Sequence, residues 1–250
     1  MTRPGPLAGS GPVDFDGIDL IVFDKDGTLI DFDVMWGGWA ESLADRLEAA
    51  IGMPLREELH REIGYDTKAR RTQPGSPLAA TPMATLRVMT TDFVARSTGR
   101  TRAAASEAVD DAWLPPDPVL LAHPLTDLPA LLGGLRGTGR RIAVVTSDDR
   151  APTLASLAGL GISDLVDALV CADDGLPSKP APDTILEACR MTGVEPARTA
   201  MIGDSIADMK MATAAGAGLR IAVLSGIGRT AELEPLSDVI LASIAELQPG

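Results

Sequence analysis

The sequence predicts an α/β protein, a parallel sheet interrupted after its first strand by an inserted helical domain. Five short apolar runs rich in Val, Ile and Ala recur along the chain, as parallel strands covered on both faces require. Amphipathic stripes at helical spacing lie between the runs. Between the first run and the second, residues 32–117 show helical patterns alone.

In chain order, residues 1–16 are rich in Pro and Gly and are expected to form a flexible tail; they lack the apolar core of a signal peptide. GIDLIVF (17–23) is the first strand. In the insertion, Trp36, Ala40, Leu43 and Leu47 form one helical stripe, and Leu86, Met89, Thr90 and Phe93 another. PLREELHREIG (54–64) and TRAAASEAVDDAWL (101–114) read as further helices, with a basic, Pro-rich loop (68–82) between the second stripe and the first of these, and no strand pattern. PPDP (115–118) suits a return hinge. The α/β core is therefore expected over 17–31 and 118–250. Leu128, Leu131, Leu132 and Leu135 form a stripe behind a candidate Thr126 cap. RIAVVT (141–146), DALVCA (167–172), TAMIG (199–203) and LRIAVL (219–224) are the remaining strands. Asp183 is a candidate cap for the helix TILEACRMTG, which Gly193 ends. Ile206, Met209 and Thr213 share one face of a last helix.

A chain of 250 residues suits one domain with an insertion rather than two full-sized domains. With 45% hydrophobic but only 3% aromatic residues, and a mean hydropathy of +0.13, the core must be built from aliphatic side chains and Met. A net charge of −13 repels nucleic-acid phosphates and anionic membranes, so neither is expected as a partner. No apolar run is long enough to span a bilayer, and nothing fixes an oligomeric state. Cys171 and Cys189 lack metal-ligand spacing and are expected as buried apolar residues in a reducing compartment, the cytoplasm.

Four short segments stand at the carboxyl ends of predicted strands, where ligands bind in open α/β sheets. They are FDKDGTL with Asp24 and Asp26, VVTSDD with Thr146, SKPAPD with Lys179, and IGDSIAD with Asp204 and, one helical turn later, Asp208. Each alone reads equally as a turn or a cap. An EF-hand over 24–35 is excluded, because the acids stop at Thr28 and position twelve is Met35. Together the segments suit phosphoryl transfer. Asp24 is the candidate nucleophile, and Asp26, two residues on along an extended chain, is the candidate acid and base. Gly27 lets the backbone turn. The charge of such a site calls for Mg²⁺, with carboxylates from Asp24 and Asp204 and the Asp26 carbonyl as ligands. Lys179 and Thr146 would hold phosphate oxygens.

The set FDKDGTL, VVTS, SKP and GDSIAD resembles the four motifs of the haloacid dehalogenase superfamily, close to its phosphoglycolate-phosphatase-like members, over residues 18–245 or so. The resemblance implies a doubly wound parallel, Rossmann-like sheet. It implies the roles given above for Asp24, Asp26, Thr146, Lys179 and Asp204, and makes Asp208 the acid that supports Lys179 or waters on the metal. Asp24 and Thr146 are 122 residues apart, Thr146 and Lys179 only 33, so the helical insertion corresponds to a cap after the first strand, suited to close over the site and choose the substrate.

Asp26 argues against the dehalogenase and phosphonate-cleaving members, which lack the second acid, and against P-type ATPases, which carry Thr there. The expectation is a Mg²⁺-dependent phosphatase of a small phosphorylated metabolite. A sugar phosphomutase and a non-catalytic phosphate-binding module are the alternatives. Among lesser signals, Lys25 is expected to be solvated, Lys68, Arg70 and Arg71 to form a surface loop, and His60 to lie on a helix surface. Trp36 and Trp39 are expected in a core, His123 in a connection, Asp148 and Asp149 as caps, and Asp173-Asp174-Gly175 as a turn.

Overall fold

The computed structural model describes residues 7–8 and 12–248, and the chain divides into two compact units. One joins the residues up to Phe32 with those from Pro118 onward; the other is Asp33–Asp117. In chain order the elements begin with β1 (Leu7–Ala8) and β2 (Leu20–Phe23) of the first unit. The second unit follows, with α1 (Gly38–Ile51), α2 (Arg56–Ile63), β3 (Tyr65–Asp66), β4 (Arg71–Thr72), α3 (Pro77–Ala80), α4 (Met83–Thr98) and α5 (Arg102–Ala112). The first unit resumes with α6 (Leu128–Gly137), β5 (Arg141–Val145), α7 (Arg150–Gly159), β6 (Ala168–Val170), α8 (Asp183–Thr192) and β7 (Thr199–Gly203). It closes with α9 (Ile206–Ala215), β8 (Leu219–Val223), α10 (Thr230–Leu233) and β9 (Val239–Leu241).

The seven strands of the first unit form one parallel sheet in the order β1-β9-β8-β7-β2-β5-β6. The chain winds one way from β2 through β5 to β6, and the other way through β7 and β8 to β9. The reversal falls at β2, so the sheet is doubly wound and β2 stands at its switch point. Phe23 is in register with Val144 on one side and Ile202 on the other. The residues just past these three therefore share one edge of the sheet. All of β2 is buried, and Leu20 and Val22 pack with Ala143, Val145 and Met201 of neighbouring strands and with Ile185 of α8 and Met209 of α9. Each aliphatic side chain so buried stabilises the unit by roughly 1.5–3 kcal/mol.

Several local expectations need correction. Within the expected flexible tail, Leu7–Ala8 pair with Val239 and Ile240 of β9, whose outer edge would otherwise be unpaired. Phe15 is buried, with the Arg140 guanidinium 5.3 Å above its ring; residues 1–6 and 9–11 lie outside the described residues. The helix cap expected at Thr126 is Asp127, whose carboxylate accepts from Ala130 N at 3.0 Å. Asp183 stands inside the first turn of α8 rather than at its cap. The buried face of α9 carries Asp208, Met209, Met211, Ala212 and Ala215, with Thr213 turned outward.

In the second unit, Trp39 is buried edge-on between Trp36 (6.1 Å) and Trp113 (4.9 Å), and its indole N–H donates to the Leu114 carbonyl at 2.8 Å. The stretch expected as loop begins inside a hairpin: its β4 pairs with β3 just before it, Thr72 with Tyr65 and Arg71 with Asp66. Strands of two residues are too short to show alternation in sequence. Asp33 secures the hairpin by accepting from Thr72 N at 2.7 Å. Lys68, Arg70 and Arg71 are exposed on it. His60 is buried rather than on a surface. Its Nε2 lies 3.3 Å from the Ala40 carbonyl and its ring stands edge-on to Tyr65, because the flank of α2 beside the Leu55-Leu59-Ile63 stripe faces α1.

Candidate active site

Asp24 is the first residue past β2. Its N–H donates to the Ile202 carbonyl of β7 at 2.9 Å, which holds it in line with the sheet edge, and it is buried. Lys179 comes from the connection before α8, ahead of a cis peptide to Pro180. Its ammonium contacts Asp24 Oδ1 and lies 2.8 Å from Asp208 Oδ1. Asp204, the first residue past β7, completes a group in which Asp24, Asp204 and Asp208 each offer an oxygen within 4.8 Å of the others.

The supports of this group are local. Ser205 caps α9 and forms a reciprocal box with Asp208: Asp208 N donates to Ser205 Oγ and Ser205 N to Asp208 Oδ2, both at 3.2 Å, and Ser205 Oγ also donates to Asp208 Oδ2 at 2.5 Å. Asp204 Oδ2 accepts from Ile227 N at 2.7 Å, and its carbonyl accepts from Gly228 N at 3.0 Å. Two glycines press on the same carboxylate. A Cβ on Gly226 would fall 1.9 Å from Asp204 Oδ2, and one on Gly27, whose φ is +82°, 2.5 Å from it. Sequence reasoning missed the Ser225-Gly226-Ile227-Gly228 loop. Its only signal was a Gly-Ile-Gly directly after an apolar strand.

Burial pushes the Asp24 carboxyl up to about 7, with Asp208 and Asp26 adding to it and Lys179 opposing. Burial likewise pushes Asp204 well above the carboxylate range, with Asp24 and Asp208 adding to it. For Lys179, burial alone would favour the neutral amine, but Asp208 and Asp24 outweigh it and hold the ammonium. Three buried carboxylates facing one ammonium are short of positive charge. An all-oxygen donor set in that state suits a hard divalent cation, and Mg²⁺ fits it.

A second cluster, built around a buried lysine, adjoins the first. Lys25 is not solvated: it is 1% exposed, and its ammonium lies 2.9 and 2.8 Å from the two oxygens of Asp26 and 2.9 Å from Asp148 Oδ2. Beyond Phe23 the chain leaves the sheet, so strand alternation no longer turns residue 25 away from its neighbours. Burial raises the Asp148 carboxyl to about 6, with Asp26 adding to it and Lys25 opposing. Asp148 is thus an ion-pair partner, not a cap, and Asp149 makes no capping bond to α7. That helix is held instead by Asp173, which accepts from Arg150 N at 2.9 Å. Thr146 is buried just past β5, the neighbour of β2, and its hydroxyl accepts from Asp148 N at 3.1 Å. The structure brings Asp24, Asp204, Asp208 and Lys179 together, and it turns the Asp26 carboxylate toward Lys25.

The haloacid dehalogenase-like hydrolase family matches residues 18–216, which include every one of these side chains except those of the 225–228 loop. The chain belongs to this family. Among curated relatives, a phosphoglycolate phosphatase of Rhodospirillum rubrum is 36% identical over 110 residues, 44% of this chain and 45% of that protein. The match thus spans under half the length of that relative. A fructose-1-phosphate phosphatase of Escherichia coli is 29% identical over 197 residues, 78% of this chain and 92% of that one. Among solved structures, a β-phosphoglucomutase of Clostridium difficile superposes with a TM-score of 0.61 at 19% identity, covering 92% of this chain and 93% of that one. That likeness shows the fold alone. Among the described residues, no helix is long and apolar enough to cross a membrane.

Proposed function

We propose that this chain is a Mg²⁺-dependent phosphatase that hydrolyses a small phosphorylated metabolite through an aspartyl phosphate. The observation that carries the reading is the buried Asp24, fixed at the end of the central strand, in contact with Lys179 and grouped with Asp204 and Asp208. Asp24, Asp204 and Asp208, with the Asp26 carbonyl, are the residues that would hold the cation, which when bound offsets charge on the transferring phosphoryl group.

The rest falls to the chain's own groups. An Asp24 oxygen attacks phosphorus as the P–O bond to the alcohol breaks, and Asp26 delivers a proton to the departing oxygen. Asp26 then takes a proton from water, whose oxygen displaces Asp24 and frees phosphate. The Lys179 ammonium and the Thr146 hydroxyl hold phosphoryl oxygens, and Asp208 holds Lys179. We assign substrate choice to the helical unit between the Asp26 and Thr146 segments. The two cysteines are buried free thiols, which suits a cytoplasmic enzyme. The phosphoglycolate and fructose-1-phosphate phosphatases among its relatives name the first esters to try.

The test is phosphate release from a panel of monoesters, with Mg²⁺ and with chelator, for the native protein and for Asp24→Asn. Turnover that chelation abolishes, and that falls by more than about a thousandfold in the variant, is expected. No release from any ester by the folded native protein would overturn the reading. Activity appearing only as phosphoryl migration within a sugar phosphate, dependent on a bisphosphate, would make it a mutase.

A further inference from the structure

The phosphoryl-transfer scheme assigns nothing to Lys25, although its ammonium is buried. Taking an ammonium out of water costs several kcal/mol, offset only where carboxylates face it closely. At Lys25 two do: Asp26 at 2.8 and 2.9 Å, and Asp148 at 2.9 Å, with the lysine 1% exposed. A methionine of similar length would fill this space without that cost, so packing alone does not call for a charge. Asp148 is itself anchored. Its N–H donates to the Thr146 hydroxyl at 3.1 Å, and its carbonyl accepts from Ala172 N at 2.9 Å. Lys25 therefore ties the Asp26 carboxylate to the loop that carries Thr146.

We propose that Lys25, anchored on Asp148, is the positioning residue for proton transfer by Asp26. The ammonium keeps the Asp26 side chain beside the phosphate-holding loop until substrate enters, and Asp148 keeps that ammonium paired when Asp26 turns from it to the departing oxygen. This rests on the phosphatase reading above. In the first step the P–O bond breaks with its electron pair on the alcohol oxygen, and Asp26 supplies the proton which that oxygen needs. An alkyl alkoxide needs the proton badly; a 4-nitrophenolate leaves without it. Loss of Lys25 should therefore harm alkyl esters far more than activated aryl esters.

The experiment compares kcat/KM for an alkyl phosphate and for 4-nitrophenyl phosphate, in the native protein, Lys25→Met and Asp148→Asn, with melting curves to identify folded variants. The ratio kcat/KM reports the steps up to cleavage of the ester bond. Lys25→Met is expected to lose about 30-fold on the alkyl ester and only about threefold on the aryl ester. Asp148→Asn is expected to lose about fivefold and twofold in the same sense, and it decides the matter if Lys25→Met does not fold. Equal losses on both esters, or none, in a folded variant would overturn the proposal while leaving the phosphatase reading intact. The alkyl phosphate is the best substrate of the monoester panel, and failure of the native protein to release phosphate from any ester of that panel would overturn both.

Discussion

Asp204 is hemmed in by Gly226 and Gly27, and that closeness is testable one atom at a time. Gly226→Ala would place a Cβ 1.9 Å from Asp204 Oδ2, so the carboxylate must swing off its bond to Ile227 N. We expect phosphate release to fall at least about tenfold and stability to drop by about 1–3 kcal/mol, read by steady-state assay and thermal melt. His60 gives a prediction of a different kind. Burial holds its imidazole below the ordinary value of 6.5, so the folded chain resists protonation there. As pH falls below about 6.5 the unfolded chain takes up the proton first, and stability drops; above that range the residue has no effect. His60→Gln retains a donor for the Ala40 carbonyl and should show a smaller fall in melting temperature between pH 7.5 and 5.5 than the native protein. The acids at strand ends were legible in the sequence because each closes an apolar run and so must stand at the sheet's edge. Lys25, Asp148 and His60 were not, since a charged or polar residue is ordinarily solvated, and only the three-dimensional arrangement reveals the partners that let these be buried.

At the scale of elements, α9 is fixed by the box between Ser205 and Asp208. Ser205→Ala should cost about 1 kcal/mol through the lost cap. For a chain of this size that lowers the melting temperature by about 2–4 °C. It should also lower phosphate release, because Asp208 loses a bond that orients it beside Lys179. Strands β2, β5, β6, β7 and β8 were legible because a strand buried on both faces is apolar throughout. The elements β1, β3 and β4 have two residues each, too few for any period to emerge. Cap positions were misplaced by one residue at α6 and α8: Thr126 and Asp127 both qualify chemically and backbone geometry decides, whereas Asp183 already lies in the first turn of α8 behind Pro182, which makes no side-chain cap bond.

For the whole molecule, a net charge of −13 opposes the approach of an anionic ester. Raising NaCl from about 10 to 200 mM shortens the screening length severalfold. It should therefore raise kcat/KM for a phosphate monoester, whereas an enzyme whose field drew the substrate in would slow. The order of the sheet has a further consequence, for how the chain is made. Leu20 pairs with Arg141 on one side and with Thr199 on the other. The strand that leads into Asp24 thus leaves the ribosome well before either neighbour, and it gains its second one only once Thr199 has been synthesised. Contacts so distant in sequence close slowly, and until they do the all-apolar segment Leu20–Phe23 has no sheet to join. Nascent chains that stop short of Thr199 should then be bound by chaperones and cut by protease in the 18–24 region, and chains that extend past Val223 should resist both.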